Sequence, residues 1–182
     1  MEIISTTIDS VKLLKPQIHR DERGIFFEVF RENWFKENIK NVDFVQENYS
    51  KSVKGTIRGL HYQLTNPQGK LVRVLKGEVF DVAVDLRESS TTFGKYFSTI
   101  LSSENNHQLW IPEGFAHGFF VISEIAEFSY KCTNYYSPNA ERCIIWNDPD
   151  LDIRWPIANN DKLSISNKDL SGCLLVEADI YE

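Results

Sequence analysis

Hydrophobic and polar residues alternate in short runs through the middle of the chain, a pattern typical of β-strands. The clearest run places two sets of side chains on opposite faces, namely Val79, Asp81, Ala83 and Asp85 on one and Phe80, Val82, Val84 and Leu86 on the other. This is the alternation of a half-buried strand. Similar runs predict strands at residues 25–30, 71–75, 96–101, 108–111, 118–122, 127–133 and 142–146. Short strands separated by glycine and proline indicate an antiparallel sandwich or barrel.

The two ends of the chain show weaker patterns. Residues 2–18 are expected to form an extended lead-in, and residues 19–24 a polar turn. Residues 31–40 are the best helix candidate, because Trp34, Phe35 and Ile39 recur at helical spacing. We expect residues 147–182 to form loops and short helices that cover the barrel, within a single domain spanning residues 1–182.

Composition narrows the class of protein. Hydrophobic residues make up 42% of the 182 and charged residues 25%, which excludes disorder as the main state. The net charge of −6 argues against a nucleic-acid or anionic-membrane partner, and no apolar run has transmembrane length. Cys132, Cys143 and Cys173 lack C-x-x-C spacing, so we expect reduced thiols in a cytoplasmic protein without a signal peptide.

Two segments carry candidate chemistry, and their spacing resembles the two cupin motifs. Gly55 lies six residues before His61 in the first, and the second contains Pro112-x-Gly114-x-x-His117. Many cupins bind a metal with two closely spaced histidines, a glutamate and a later histidine. Here Gln63 occupies the second histidine position, and nothing acidic lies between it and residue 77. We therefore expect neither a metal nor another cofactor.

His61 could still act as a base without a metal. An unperturbed histidine titrates near pH ~6.5, so both of its protonation states are available near neutrality. Arg58 and Lys70 are close in sequence, and cations beside a base suit an anionic substrate or a developing enolate. A hydrogen-bonded structural histidine and solvated surface charges are the alternatives.

A longer series of motifs resembles the dTDP-4-dehydrorhamnose 3,5-epimerase family, over about residues 21–169. These motifs lie at residues 58–63, 69–74, 77–85, 110–119 and 130–138. The resemblance implies an all-β fold, a cupin-like antiparallel jelly-roll barrel with a few short peripheral helices, in a metal-free cytoplasmic homodimer. It also implies epimerisation of dTDP-4-dehydro-6-deoxy-D-glucose at C3 and C5 through enolates. The product, dTDP-4-dehydro-L-rhamnose, belongs to dTDP-L-rhamnose biosynthesis and so to carbohydrate synthesis such as that of lipopolysaccharide.

The same resemblance assigns roles to individual residues. It implies that His61 is the base, that Asp169 is its carboxylate partner, that Tyr130 is the proton donor on the opposite sugar face, and that Lys70 stabilises the enolate oxygen. The residues implied in binding the nucleotide-sugar are Arg23, Phe26, Glu28, Gln46, Asn48, Arg58, His117, Tyr136, Glu141 and Lys168. Tyr136 is implied to stack on the thymine, and the strand from Arg23 to Glu28 to enter the neighbouring subunit.

Three other functions remain open at this point. The first is epimerisation at a single carbon of a related dTDP-4-keto-6-deoxy sugar, the second is sugar binding without catalysis, and the third is metal-dependent cupin oxygenation. The joint presence of His61, Lys70, Tyr130 and Asp169 argues against the non-catalytic alternative.

Overall fold

The chain folds mainly into antiparallel strands, and the structure, a computed structural model, describes residues 1–159 and 162–182. The strands are β1 (Glu2–Ser5), β2 (Lys12–Lys15), β3 (His19–Asp21), β4 (Gly24–Phe26), β5 (Gln46–Val53), β6 (Thr56–Gln63), β7 (Lys70–Lys76), β8 (Glu78–Asp85), β9 (Tyr96–Ser102), β10 (Gln108–Ile111), β11 (Phe115–Val121), β12 (Ile125–Cys132), β13 (Glu141–Cys143) and β14 (Ser164–Ile165). The helices are α1 (Glu32–Asn38), α2 (Asn167–Leu170) and a 3₁₀ helix (Leu175–Glu177). Among the described residues, no helix is long and apolar enough to cross a lipid bilayer.

Two large sheets form the barrel. The first has the order β1-β2-β10-β7-β12-β5, and the second has the order β13-β6-β11-β8-β9, with β14 added in parallel to β6. A shared hydrophobic cluster joins them, including Val72 and Phe128 from the first sheet and Val79, Leu101 and Phe119 from the second. This is the predicted all-β, cupin-like jelly roll, since inward-facing apolar residues of two antiparallel sheets close on one core.

Strand β8 differs from the prediction of a half-buried strand, because both of its faces are buried. Val79 and Ala83 belong to the core between the sheets. Val82 and Val84 pack in a second cluster with residues of the C-terminal segment, such as Trp155. Covering this outer face is what residues after 147 were expected to do. Both faces of β8 are buried because the C-terminal segment covers the face that points away from the barrel core.

The N-terminal region departs further from the prediction. The strand expected over residues 25–30 is wrong, because β4 ends at Phe26 and pairs only with β3 within the described residues. Beyond it Phe30 packs edge-on against Phe44, with ring centroids 5.4 Å apart. Helix α1 confirms the helix expected within residues 31–40, and its Phe35 is 1% exposed against Trp110.

Two glycines set the spacing between β6 and β11. A Cβ added to Gly59, whose φ is +122°, would lie 2.5 Å from the Gly118 Cα. The strands can approach this closely because neither residue carries a side chain. The ladder shifts register between His117 and Phe119, and it pairs His117 with His61. The two histidines therefore lie beside each other on neighbouring strands.

Candidate active site

A cavity of about 450 Å³ lies between the two sheets. Most of the residues predicted to bind or convert a ligand line it, namely Gln46, Asn48, Arg58, His61, Lys70, His117, Tyr130, Tyr136 and Glu141. They come from strands β5, β6, β7, β11, β12 and β13 and from the loop after β12. Pairing between strands that are distant in sequence thus brings these polar residues together around one cavity.

His61 is hydrogen-bonded to Asp169, which reaches it from helix α2. The distance from the His61 Nε2 to the Asp169 Oδ1 is 2.6 Å. The imidazole is 28% exposed, whereas the carboxylate side chain is 5% exposed. A buried carboxylate on one ring nitrogen fixes the tautomer and leaves the other nitrogen available for proton transfer.

Helix α2 holds this carboxylate in place and keeps it ionised. Ser166 is the N-cap, and its hydroxyl accepts a hydrogen bond from the Asp169 N–H at 3.1 Å. Burial raises the pKa of Asp169, but the hydrogen bond from His61 and the positive charge of a protonated His61 outweigh it, so the pKa lies below its usual value. The carboxylate can therefore stabilise an imidazolium.

Tyr130 and Lys70 belong to the sheet opposite His61. Burial raises the pKa of the Tyr130 phenol, so it remains protonated and can donate a proton. Lys70 is 8% exposed, and burial lowers its pKa. Its Nζ donates to the His61 carbonyl oxygen at 3.3 Å. The ammonium group is thus tied to the backbone of the strand that carries His61.

A second histidine–carboxylate pair lies deeper in the barrel. His117 Nε2 is 3.0 Å from both carboxylate oxygens of Asp81. Asp81 is fully buried, and this burial raises its pKa although His117 and Lys70 oppose the shift. Asp81 was not among the predicted site residues. The strand pattern placed it on one face of β8, but it did not indicate that this face meets His117 and the charge of Lys70.

The rim of the cavity is polar and partly exposed. The Tyr136 hydroxyl donates to the Glu141 Oε2 at 2.6 Å, and the Tyr136 N–H donates to Gln46 at 2.9 Å. Lys168 forms an ion pair with the same Glu141 oxygen. Burial raises the pKa of Glu141, but Lys168 and Tyr136 lower it further than burial raises it. Lys168 therefore joins the rim through Glu141.

The polar wall contains Arg58 and Asn48. Arg58 Nε donates to the Ser52 hydroxyl at 3.0 Å, and Asn48 accepts from the Gln46 Nε2 at 3.0 Å. These contacts orient one group on each side chain. The guanidinium still carries further N–H donors, which suit an anionic ligand.

Three of the predicted binding residues lie away from this cavity in the single chain. Arg23 pairs with Asp21 on the β3–β4 hairpin at 2.6 Å, and Glu28 pairs with Arg31 at 3.0 Å. Phe26 is 74% exposed. In the single chain, this hairpin therefore does not reach the cavity residues with which it was predicted to bind the nucleotide-sugar.

Other residues of the site were not predicted. Gln63, Gln68, Phe119 and Phe128 also line the cavity. Gln63 accepts from the Ser137 N–H at 2.7 Å and so anchors the loop after β12. Its position in the cupin motif indicated only that a histidine metal ligand is replaced, and it did not predict this anchoring role. Phe119 and Phe128 stack with centroids 4.5 Å apart, a contact that depends on sheet-to-sheet packing.

One group of possible metal ligands occurs in residues 1–159 and 162–182. It combines His61, Cys143 and Asp169, whose ligand atoms lie within 4.8 Å of one another. Two of these residues already form the histidine–carboxylate pair.

Known proteins similar in sequence point to one family. A family model described as dTDP-4-dehydrorhamnose 3,5-epimerase matches residues 5–177. An enzyme of that name from Neisseria gonorrhoeae is 58% identical, and the match covers 98% of this chain and 54% of that protein. The chain thus spans about half the length of that relative. Another, from Shigella flexneri, is 52% identical, with 100% of this chain and 99% of that protein covered.

A similar solved structure extends the comparison to three dimensions. It is the dTDP-6-deoxy-D-glucose-3,5-epimerase of Legionella pneumophila in complex with dTDP-4-keto-L-rhamnose. The TM-score is 0.94 at 51% sequence identity, and the match covers 98% of this chain and 94% of that one. Fold and sequence therefore agree over almost the whole length.

Proposed function

This chain belongs to the dTDP-4-dehydrorhamnose 3,5-epimerase family and is an isomerase, and from that premise we propose how its residues carry out the reaction. The substrate is dTDP-4-dehydro-6-deoxy-D-glucose, and the product is dTDP-4-dehydro-L-rhamnose. The C4 ketone acidifies the hydrogens at C3 and C5, so that each inversion proceeds through an enolate. Inversion requires a base on one sugar face and an acid on the other.

The observation that carries the proposal is that the cavity separates His61 and Tyr130. His61 lies on β6 of one sheet and Tyr130 on β12 of the other, and both line the same cavity. A sugar between the sheets would therefore meet the imidazole and the phenol on opposite faces. We assign His61 as the base and Tyr130 as the acid.

Asp169 and Lys70 would stabilise the two charges that develop during the reaction, the positive charge on His61 and the negative charge on the enolate oxygen. Asp169 accepts a hydrogen bond from His61 Nε2, which leaves the lone pair of Nδ1 for the substrate proton. When His61 takes that proton, the carboxylate stabilises the imidazolium. The Lys70 ammonium would stabilise the enolate oxygen, because a fixed buried donor needs no reorganisation at the moment of reaction.

The remaining predicted residues would bind the nucleotide. Arg58 and His117 can present N–H donors to the diphosphate from the cavity wall. Tyr136 is 48% exposed at the rim, where a phenol ring can stack on thymine. Glu141 and Lys168 hold that ring in place through their ion pair and the Tyr136 hydroxyl.

We propose that the functional unit is a homodimer in which the β3–β4 hairpin completes the cavity of the partner. Ile25 and Phe26 are 48% and 74% exposed, which is unusual for adjacent large apolar residues. Arg23, Phe26 and Glu28 of each subunit would then reach the nucleotide bound in the cavity of the other subunit. Sedimentation of the wild-type protein and of a Phe26→Asp variant tests this, with a dimer expected only for the wild type.

The three free thiols fit the expected cytoplasmic location.

Proton NMR of the product formed in heavy water tests the reaction and its base. We expect deuterium at both C3 and C5 with the wild-type protein. His61→Ala should lower the exchange rate by about 10²- to 10⁴-fold, the usual contribution of a positioned base. His107→Ala is the matched control, because His107 lies outside the residues that line the cavity. Label at one carbon alone would instead identify a single-carbon epimerase, and undiminished exchange in His61→Ala would remove His61 as the base.

A further inference from the structure

Cys143 lies beside the His61–Asp169 pair, although the proposed reaction does not use it. Cys143 on β13 is the ladder partner of His61 on β6, and directly opposite residues project to the same side of a sheet. A ring nitrogen, the Cys143 Sγ and a carboxylate oxygen of Asp169 all lie within 4.8 Å of one another. Two paired strands and a capped helix thus direct three different donor atoms to one point.

This set of donors matches a borderline-soft transition metal. Nitrogen, thiolate sulfur and carboxylate oxygen are the ligands that Zn²⁺ uses, whereas Mg²⁺ and Ca²⁺ take oxygen ligands. Three protein ligands leave a fourth tetrahedral position, which water could occupy from the cavity that His61 lines. The expected selectivity is therefore for Zn²⁺ or Co²⁺ over Mg²⁺.

The required rearrangement is small. Zinc lies about 2.0–2.3 Å from such ligands, so two tetrahedral donors are separated by roughly 3.3 Å or more. The His61–Asp169 contact of 2.6 Å would have to lengthen by about 0.7 Å, and separations of up to 4.8 Å among the three donors would have to shorten. Rotation about the side-chain torsions of His61 and Cys143 would supply this movement, and the Cys143 Sγ would give up its 3.5 Å contact with the Ile144 carbonyl oxygen.

The thiol proton is the main barrier to binding. Burial, and then the charge of Asp169, raise the pKa of Cys143 to about 12, while Lys168 lowers it and Cys173 and Glu141 raise it further. A metal must therefore displace this proton.

We propose that His61, Cys143 and Asp169 form an inhibitory site for Zn²⁺ or a similar ion. A metal bound at Nε2 of His61 would displace the ring proton to Nδ1, so no lone pair would remain to take a proton from the sugar. The inhibitory part rests on the proposed role of His61 as base. The metal site itself does not, because it depends only on the three donors.

Titration of the chelator-treated full-length protein with Co²⁺ tests the site directly. We expect one equivalent to produce the near-ultraviolet thiolate-to-cobalt absorption, and Zn²⁺ to displace it. Cys143→Ser should abolish this absorption, and Cys143→Ala serves if the serine variant folds poorly. Cys173→Ser is the matched control, because Cys173 neighbours Cys143 but lies outside the three-residue group.

Inhibition is then measured by heavy-water exchange with and without Zn²⁺, each variant being compared with its own metal-free rate. We expect Cys143→Ser to need on the order of 10- to 100-fold more Zn²⁺ for half-inhibition, and Cys173→Ser to need the same amount as wild type. An absent absorption band, or one that survives in Cys143→Ser, would overturn the site. A band without inhibition would overturn the inhibitory role. If His61 is not the base, the metal-free His61→Ala variant will still exchange deuterium at an undiminished rate. This result is independent of the metal titration.

Discussion

The histidines of two histidine–carboxylate pairs lie side by side on β6 and β11, but the pairs differ in the exposure of the histidine and in the origin of the carboxylate. The His61 and His117 Cα atoms are partners in the same ladder. The His61 side chain is 28% exposed, whereas that of His117 is 8% exposed. Asp169 reaches His61 from a helix far along the chain, while Asp81 reaches His117 from the adjacent strand β8.

The two carboxylates differ most in their electrostatics. The pKa of Asp169 is lowered because hydrogen bonds and charge outweigh burial, whereas burial dominates at Asp81 and raises its pKa. Asp169 therefore behaves as a fixed anion behind an accessible imidazole. Asp81 lies fully buried near Lys70, where its charge is costly unless cations surround it.

This difference shows that the exposure of the histidine and the charge of its carboxylate together decide what each pair can do. A histidine that acts as a base must accept a proton from a ligand and return it, so it needs access and a permanently ionised partner. The pair of His61 has both features. The pair of His117 is instead buried, with the charge of Lys70 acting on its carboxylate, and we expect it to stabilise and orient the site.

The largest expected effect comes from replacing Asp169 with asparagine. The amide can donate to His61 Nε2, which would move the ring proton to Nδ1 and remove the lone pair that faces the substrate. We expect the rate of deuterium exchange to fall by about 10²- to 10⁴-fold, with little change in the free energy of unfolding. Exchange in heavy water and urea denaturation measure the two quantities.

Asp150→Asn is the control for this substitution, because Asp150 is exposed and lies outside the cavity. It should leave both quantities at their wild-type values. An Asp169→Asn protein that exchanged deuterium at nearly the wild-type rate would show that His61 needs no ionised partner, and the distinction between the two pairs would fail.

The next largest effect is expected at the buried pair, and on stability. Asp81→Ala removes the carboxylate that is hydrogen-bonded to His117 and one of the negative charges that act on the buried Lys70 ammonium. Removing one partner of a buried ionic pair typically costs about 3–5 kcal/mol of unfolding free energy. Urea denaturation checks this value, with Asp169→Ala as the comparison, for which a smaller loss is expected.

A second substitution separates lost charge balance from lost packing. If the uncompensated ammonium causes the instability, adding Lys70→Met to Asp81→Ala should recover a large part of the lost free energy. Recovery should not occur when Lys168→Met is added, because Lys168 lies at the rim and pairs with Glu141. Equal effects of the two methionine substitutions would attribute the instability to packing around Asp81.

The contrast also explains which parts of the structure the sequence predicts. Alternation in residues 79–86 and 127–133 located strands β8 and β12, because the period of a strand is a local property. The prediction for residues 25–30 failed, because whether a β-prone segment becomes a strand depends on a partner strand. Burial of both faces of β8 depends likewise on the distant C-terminal segment.

The candidate site divides in the same way. His61 and Lys70 were candidates from the residues around the first motif, whereas Tyr130 and Asp169 came from the family resemblance. Asp81 was missed as a site residue, because its importance comes from His117 and Lys70, which lie on other strands. Cys143 was treated only as a reduced thiol, since its pairing with His61 appears only when β13 joins β6.

The smallest expected effect is on the pH dependence of stability, where the two carboxylates should act in opposite directions. The folded-state pKa of Asp169 lies below 3.8, so its contribution is fully present above that pH and is lost as pH falls through the lowered pKa. The folded-state pKa of Asp81 lies above 3.8, so the stability linked to its protonation is present below 3.8 and is lost as pH rises through the raised pKa. In urea denaturation across this range, Asp169→Asn should therefore weaken the loss of stability on the acidic side, and Asp81→Asn should weaken the loss as pH rises. If both variants changed the profile in the same direction, the two carboxylates would not have the opposite environments that distinguish the pairs.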